Sequence, residues 1–238
     1  MFQGRLIWVI GATGAIGEAI AADLAAQGAH VVASGRDAAK LKSLGHEAEL
    51  VNLADRASVD GAAARILARH GRIDALVNTV ALPNFGDFLT LDDDEWLAVL
   101  QAKGLGYMRS IRAVLPGMLA RGSGVIVNVS GRGGHQPNSA SHMPGSSANA
   151  MVNLLTKGIA NLYGSKGIRS NAVAPGPVKT PRYDAIAAAN EKLGQKPPAV
   201  TPATTEQIAQ ITRFLLSDMA SHLNGCILQA DGGTTLTL

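Results

Sequence analysis

The chain has 238 residues, 47% of them hydrophobic and 16% charged, with a formal net charge of +3. That length suits one α/β domain with a full core, and the composition excludes a disordered chain. There is no Lys/Arg block with interleaved aromatics, which argues against nucleic-acid binding. No run approaches the roughly 18 apolar residues of a membrane span, and a lone Cys226 excludes an internal disulfide.

Strand-like and helix-like segments alternate from the first residues. Leu6 to Ile10 is an apolar run that predicts a strand buried on both faces. The N-terminus runs straight into it without signal-peptide organisation, so a cytoplasmic protein with no membrane partner is expected. A glycine turn follows, then an Ala/Leu-rich helix over Glu18 to Gln27, stopped at Gly28. A second strand is predicted over His30 to Ser34, a helix over Asp37 to Leu44, and a third strand over Ala48 to Asn52. Asp55 is placed to cap a helix ending near His70, and Ala75 to Asn78 reads as the fourth strand.

Thr90-Leu91-Asp92-Asp93 has capping-box spacing and predicts a long helix reaching about Leu119. The acidic run Asp92-Asp93-Asp94-Glu95 is read as carboxylates complementing a helix dipole, not as a metal site. A fifth strand is predicted over Val125 to Val129, a helix over Ser146 to Leu162 and a sixth strand over Ile168 to Ala174. The Pro-rich stretch 175–203 is read as a loop over the active site, with a short helix around Tyr183 to Lys192. Thr204-Thr205-Glu206-Gln207 is a second capping box, before a helix to about Ser217. Cys226 to Gln229 closes the sheet, which makes the thiol a buried, inert one. The alternation predicts an α/β fold, a doubly wound parallel sheet with helices on both faces, in one domain over 1–238.

Gly11-Ala12-Thr13-Gly14-Ala15-Ile16-Gly17 lies between the first strand and the first helix. In that context glycines let the backbone approach a pyrophosphate, which the helix N-terminus favours. At the end of the second strand stand Ser34-Gly35-Arg36, with no acid to accept ribose hydroxyl bonds. Arg36 can instead pair with a 2′-phosphate, so NADP(H) is preferred over NAD(H).

At this point the chain resembles the short-chain dehydrogenase/reductase family over nearly its whole length. The resemblance rests on Gly11-x-x-Gly14-x-x-Gly17, on Asn78 in Leu76-Val77-Asn78-Thr79-Val80-Ala81, and on Ala113-Val114-Leu115-Pro116-x-Met118. It rests further on Val125 to Ser130, on Ile168 to Thr180, and on the C-terminal segments Leu223-Asn224-Gly225 and Asp231-Gly232-Gly233. It implies a Rossmann-type sheet of about seven strands in the order 3-2-1-4-5-6-7, with the cofactor across their carboxyl ends. Carried over by position, the cofactor contacts are Gly11, Thr13, Gly14, Ile16, Gly17, Arg36, Asn78, Pro175, Gly176, Val178 and Thr180. The resemblance also implies a homodimer or homotetramer packed through the helices over 92–119 and 146–163.

Hydride transfer to a carbonyl needs a proton donor beside the developing alkoxide. The family supplies a Tyr, a Lys four residues later, a Ser near the fifth strand and an Asn from the long helix. Aligned on this chain, the Tyr falls at Gly145 and the Lys at Asn149, or at Pro144 and Ala148 one residue earlier. The Ser falls at Gly131 and the Asn at Lys103. The family resemblance is therefore to an atypical member that lacks the usual catalytic residues. His142 and Lys103 are the candidate catalytic residues in their place. His142 lies seven residues before Asn149, a separation that matches the wider Tyr-to-Lys spacing of enoyl reductases in the same superfamily. Lys103 is an acid if it is desolvated in a cleft, and a surface charge if it points outward. Ser141, Ser146 and Ser147 offer hydroxyls without an evident partner, and Tyr163-Gly164-Ser165-Lys166 reads as a helix terminus.

Three functions fit these residues. The chain is an NADP(H)-dependent oxidoreductase of a small carbonyl or activated C=C substrate, using a non-standard proton donor. Alternatively it is a catalytically silent NADP(H)-binding protein, or a non-redox lyase or cyclase on the same frame.

Overall fold

The computed structural model describes residues 1–136, 141–196 and 200–235. Its centre is β1 (Leu6–Ile10), whose residues are all buried. Alternate side chains of this strand enter opposite layers, as the two-residue period of a strand requires. Ile7 and Val9 join one core with Ile20, Leu24 and Leu215; Leu6, Trp8 and Ile10 join the other with Ile66, Tyr107, Ile111 and Val152. This is why the run is continuously apolar.

The remaining strands are β2 (His30–Gly35), β3 (Glu47–Leu50), β4 (Ala75–Asn78), β5 (Gly124–Val129), β6 (Ile168–Pro175) and β7 (Ile227–Ala230). All pair in parallel in one sheet of order β3-β2-β1-β4-β5-β6-β7. The order reverses between β1 and β4, which opens the crevice where ligands of doubly wound folds bind. On one face lie α1 (Ala15–Ala26) and α2 (Ala38–Ser43). The other carries α3 (Arg56–His70), which Asp55 caps by accepting from the Ala57 amide at 2.9 Å.

The long helix differs from the sequence expectation in two ways. It begins two residues later, at α4 (Asp93–Val99), because Asp92 and not Thr90 closes the capping box with Glu95. The Thr90 hydroxyl instead donates to the Asp87 carbonyl. The helix then passes through a π turn at Leu100–Gly104 before continuing as α5 (Leu105–Arg121). Such turns carry one extra residue and recur at functional sites.

After β5 the chain makes a short 3₁₀ turn over Arg132–Gly134 and enters α6 (Met143–Tyr163). The sequence stretch 137–140 lies outside the described residues. Tyr163 ends α6 and Lys166 stacks over its ring at 5.7 Å, so this pair is a helix terminus. α7 (Pro181–Lys192) follows β6, and α8 (Thr205–Leu216) is opened by the Thr204/Gln207 capping box. Cys226 sits just before β7, half-buried, so it is neither in the strand nor fully covered as expected. Among the described residues no helix is long and apolar enough to cross a membrane.

Candidate active site

A cleft of about 1120 Å³ runs across the carboxyl ends of the strands. Its first half is built by backbone. Gly11 takes a φ of 91°, the left-handed region that favours glycine. Gly17 packs so closely that a Cβ there would meet the Gly11 carbonyl, its carbon at 2.7 Å. The turn therefore folds flat against the start of α1. The N-cap of α1 is Gly14, which offers no side-chain acceptor to the first-turn amides. Thr13, Gly14, Ile16, Gly17 and the exposed Arg36 all line this half, together with Lys40 and Asn52. Asn52 caps its own turn by accepting from the Ala54 amide.

The opposite wall is the stretch after β6. Pro175, Gly176, Val178 and Thr180 line it. Gly176 is essential to the approach, since a Cβ would stand 2.7 Å from the Asp231 Cα. Thr180 spends its hydroxyl locally, accepting from the Tyr183 amide as the N-cap of α7. Tyr183 itself lines the cleft.

Asn78 departs from its expected role. It is fully buried beneath the cleft, donating to Asn128 Oδ1 at 2.9 Å and accepting from the Ser110 hydroxyl at 2.8 Å. Asn128 in turn donates to Thr156. Asn78 thus ties β4, β5, α5 and α6 together and does not reach the cleft surface.

The second half of the cleft gathers the positions expected to carry proton transfer. The π turn directs Lys103 inward, 6% exposed, where its Nζ donates to the Ser130 carbonyl at 2.8 Å. Burial, with Arg182 nearby, pulls this ammonium down to about 7. Tyr107 lies one turn on, its hydroxyl donating to the Val80 carbonyl at 3.0 Å and within 3.2 Å of the Val129 carbonyl. Burial pushes that phenol well above its usual range.

Gly131 faces Asn149, so a Cβ on Gly131 would stand 2.6 Å from Asn149 Nδ2. Asn149 is itself buried, and its Oδ1 has no partner among the described residues. Gly145 lies beneath the His142 ring, which occupies the space a side chain at 145 would need. Lys103, Gly131, His142, Gly145 and Asn149 therefore share one wall. Ser146 is buried on that wall, Ser141 donates to Asn190 Oδ1 at 2.7 Å, and Ser147 is exposed away from it.

His142 packs edge-on against Phe85 with ring centroids 5.2 Å apart. Its Nε2 lies 3.1 Å from an Arg182 terminal nitrogen. Arginine only donates, so Nε2 accepts and the ring is neutral with its proton on Nδ1. Burial, then Arg182 and Lys103, hold the imidazole down at about 3, with the Asn84 backbone opposing by less. Arg182 is the residue that sequence reasoning missed. It lies 5.0 Å over the Phe85 ring and donates to the Leu82 carbonyl at 2.6 Å. Its sequence signal is its place two residues after Thr180, the end of the Ile168 to Thr180 stretch that carries part of the family resemblance.

The sheet order, the glycine turn and the cleft at the switch point define a Rossmann-type nucleotide-binding α/β protein. Residues 11–235 match the family model described as enoyl-(acyl carrier protein) reductase. The chain is 38% identical over 247 residues to a cis-4-hydroxycyclohexanecarboxylate dehydrogenase of Sinomonas cyclohexanicum, covering 98% of both chains. It is 29% identical over 244 residues to the 3-oxoacyl-(acyl-carrier-protein) reductase FabG of Thermotoga maritima, covering 98% of this chain and 99% of that protein. The crystal structure of levodione reductase superposes with a TM-score of 0.89 at 27% identity, covering 98% of each chain. The chain belongs to the short-chain dehydrogenase/reductase family of nicotinamide-dependent oxidoreductases.

Proposed function

We propose that this protein is an NADP(H)-dependent oxidoreductase acting on a small carbonyl or activated C=C substrate, with Lys103 as its proton donor. The observation that carries the reading is the burial of Lys103 in the cleft wall with its pKa drawn to about 7. A general acid works best when its pKa lies near the working pH. The Ser130 carbonyl fixes the ammonium by one bond and leaves two N–H donors for a substrate oxygen.

The residues fit a nicotinamide dinucleotide. The uncapped first turn of α1 suits a pyrophosphate, and the orphaned Asn149 Oδ1 suits a ribose hydroxyl. Arg36 is exposed at the rim with no ion-pair partner among the described residues, which supports a 2′-phosphate over a bare ribose. Gly11, Thr13, Gly14, Ile16, Gly17, Pro175, Gly176 and Val178 supply the backbone walls. The bound cofactor supplies the hydride. Lys103 gives a proton to the reduced oxygen, or to carbon in the C=C case, and takes it back in the oxidative direction.

His142 serves as a wall in this reading. A neutral imidazole held at about 3 and accepting from Arg182 is no acid near pH 7. In this reading Gly145 and Asn149 stand at the family's Tyr and Lys positions and Gly131 at its Ser position, and none of the three offers a proton donor of that kind. The described part of 175–203 acts as the substrate lid, with Tyr183 facing the cleft. Leu97 on α4, with Met151, Leu154 and Leu162 on α6, are exposed apolar residues that suit a homo-oligomer interface. A cytoplasmic location fits the same reading.

NADPH binding followed by fluorescence, then NADPH oxidation over paired ketones and enones, tests the proposal. The Sinomonas relative is named for a hydroxycyclohexanecarboxylate, so six-membered-ring ketones belong in the panel. Binding with turnover, lost in Lys103→Met while binding persists, is the expected outcome. Binding without turnover on every substrate would replace it with the silent-protein reading.

A further inference from the structure

We propose that the substrate carries a carboxylate, and that Arg182 receives it while Lys103 stays free for the reacting atom. This rests on the oxidoreductase reading and names the class of molecule that the site takes.

A guanidinium has five N–H donors and an ammonium three. Arg182 uses one donor on the Leu82 carbonyl and one on His142 Nε2, both neutral. Lys103 uses one on the Ser130 carbonyl, also neutral. Neither cation is ion-paired to a carboxylate among the described residues. The segments 137–140, 197–199 and 236–238, outside the described residues, contain no Asp or Glu side chain. Arg182 lowers the Lys103 pKa, and both cations lower that of His142.

Several other partly buried cations in this protein are compensated, although Arg109 bonds only the neutral oxygens of Leu53 and Gln101. Arg132, on the same cleft, lies in the field of Asp231. Arg213 pairs with Asp23 at 3.0 Å. Arg169 donates to the carbonyls of Leu215, Leu216 and Ser217 at the end of α8, the negative pole of that helix. Arg182 has the opposite setting. It is the second residue of α7, where the helix dipole is positive and an acidic residue is the favoured occupant. Two covered cations and a helix N-terminus thus meet without a negative charge, which is costly until an anion enters.

The anion belongs to the substrate and not to the cofactor phosphates. Arg182 bonds the Leu82 carbonyl and His142 and lies over Phe85, and none of its hydrogen bonds among the described residues goes to the glycine turn at Gly11–Gly17. The guanidinium lies over the Phe85 ring, and Pro83 and Ile186 line the same cleft. Flat, apolar walls beside a planar fork favour a carboxylate on a carbon frame.

The test is charge-selective binding to the full-length protein with NADPH present. Cyclohexanecarboxylate and cyclohexanecarboxamide serve as probes in a thermal-shift titration, and oxo-carboxylates paired with their methyl esters serve in turnover. The acid should bind roughly 10- to 100-fold tighter than the amide, the span expected of a charge-assisted hydrogen bond. Arg182→Gln should erase that preference while leaving NADPH affinity within a few-fold, and Arg182→Lys should keep part of it. Equal binding of acid and amide to the unaltered protein overturns the proposal without recourse to any variant. So does an Arg182→Gln protein that loses NADPH affinity in step with the acid. Charge-selective binding without turnover upholds the anion site and sinks the oxidoreductase reading. Turnover of neutral esters with no preference for acids does the reverse.

Discussion

Lys103 Nζ donates to the Ser130 carbonyl at 2.8 Å, joining the π turn to the end of β5 at the floor of the cleft. The bond holds a buried ammonium at a fixed point without neutralising it. Replacing Lys103 by Met should lower kcat by about 100-fold or more, in line with general acid catalysis, and leave NADPH affinity nearly unchanged. Steady-state kinetics beside a fluorescence titration checks both halves.

The same substitution should stabilise the fold. The Lys103 pKa falls from 10.5 to about 7 on folding, so the folded state binds the proton less well than the unfolded chain. Its destabilising effect is fully present below pH 7 and is relieved as pH rises from about 7 towards 10.5. Lys103→Met should therefore raise Tm at pH 6 and by less at pH 9. A variant that is less stable at pH 6 would show that the Ser130 bond outweighs desolvation.

Burial sets the working pH, and Arg182 adds to it in the same direction. For reduction Lys103 must begin protonated, so the rate should fall as pH rises through about 7. Arg182 lowers the Lys103 pKa, and its removal in Arg182→Gln should move that limb to higher pH. A pH–rate profile with unchanged midpoint would exclude Lys103 as the titrating group.

Gly145 and His142 exclude one another's alternatives. Gly145→Ala should cost about 1–3 kcal/mol by overpacking, since the new methyl enters the space of the His142 ring. The double variant with His142→Ala should recover most of that loss in denaturant unfolding. Additive losses would mean that the ring moves aside freely.

Arg36→Asp should weaken NADPH binding by roughly 10- to 100-fold, the loss of a charge-assisted bond, and improve NADH binding. Parallel Kd measurements for the two cofactors decide it.

The strands were the most legible part of this molecule. β1 and β4 stand where the apolar runs put them, because a parallel strand covered on both faces must be apolar at every position. The start of α4 was not, since Thr90 and Asp92 each head a plausible capping box and only packing chooses between them. Asn78 kept its identity from the resemblance, but its amide is consumed by Asn128 and Ser110, partners that lie 50 and 32 residues away. Arg182 was invisible for a related reason. Its carbonyl partner Leu82 is 100 residues distant, and nothing local marks it as part of a site.

The π turn at Leu100–Gly104 separates two helices that a hydropathy plot joins into one. Each residue of an α-helix advances the direction of its side chain by about 100°. The surplus residue therefore sets the angular phase between α4 and α5, and removing it would swing one helix face by roughly that angle relative to the other. The outward Leu97 and the inward Tyr107 could not then both hold their present directions. A single-residue deletion here would disturb the outer face of α4 and the inner face of the cleft together, although the amino acids at both would be unchanged.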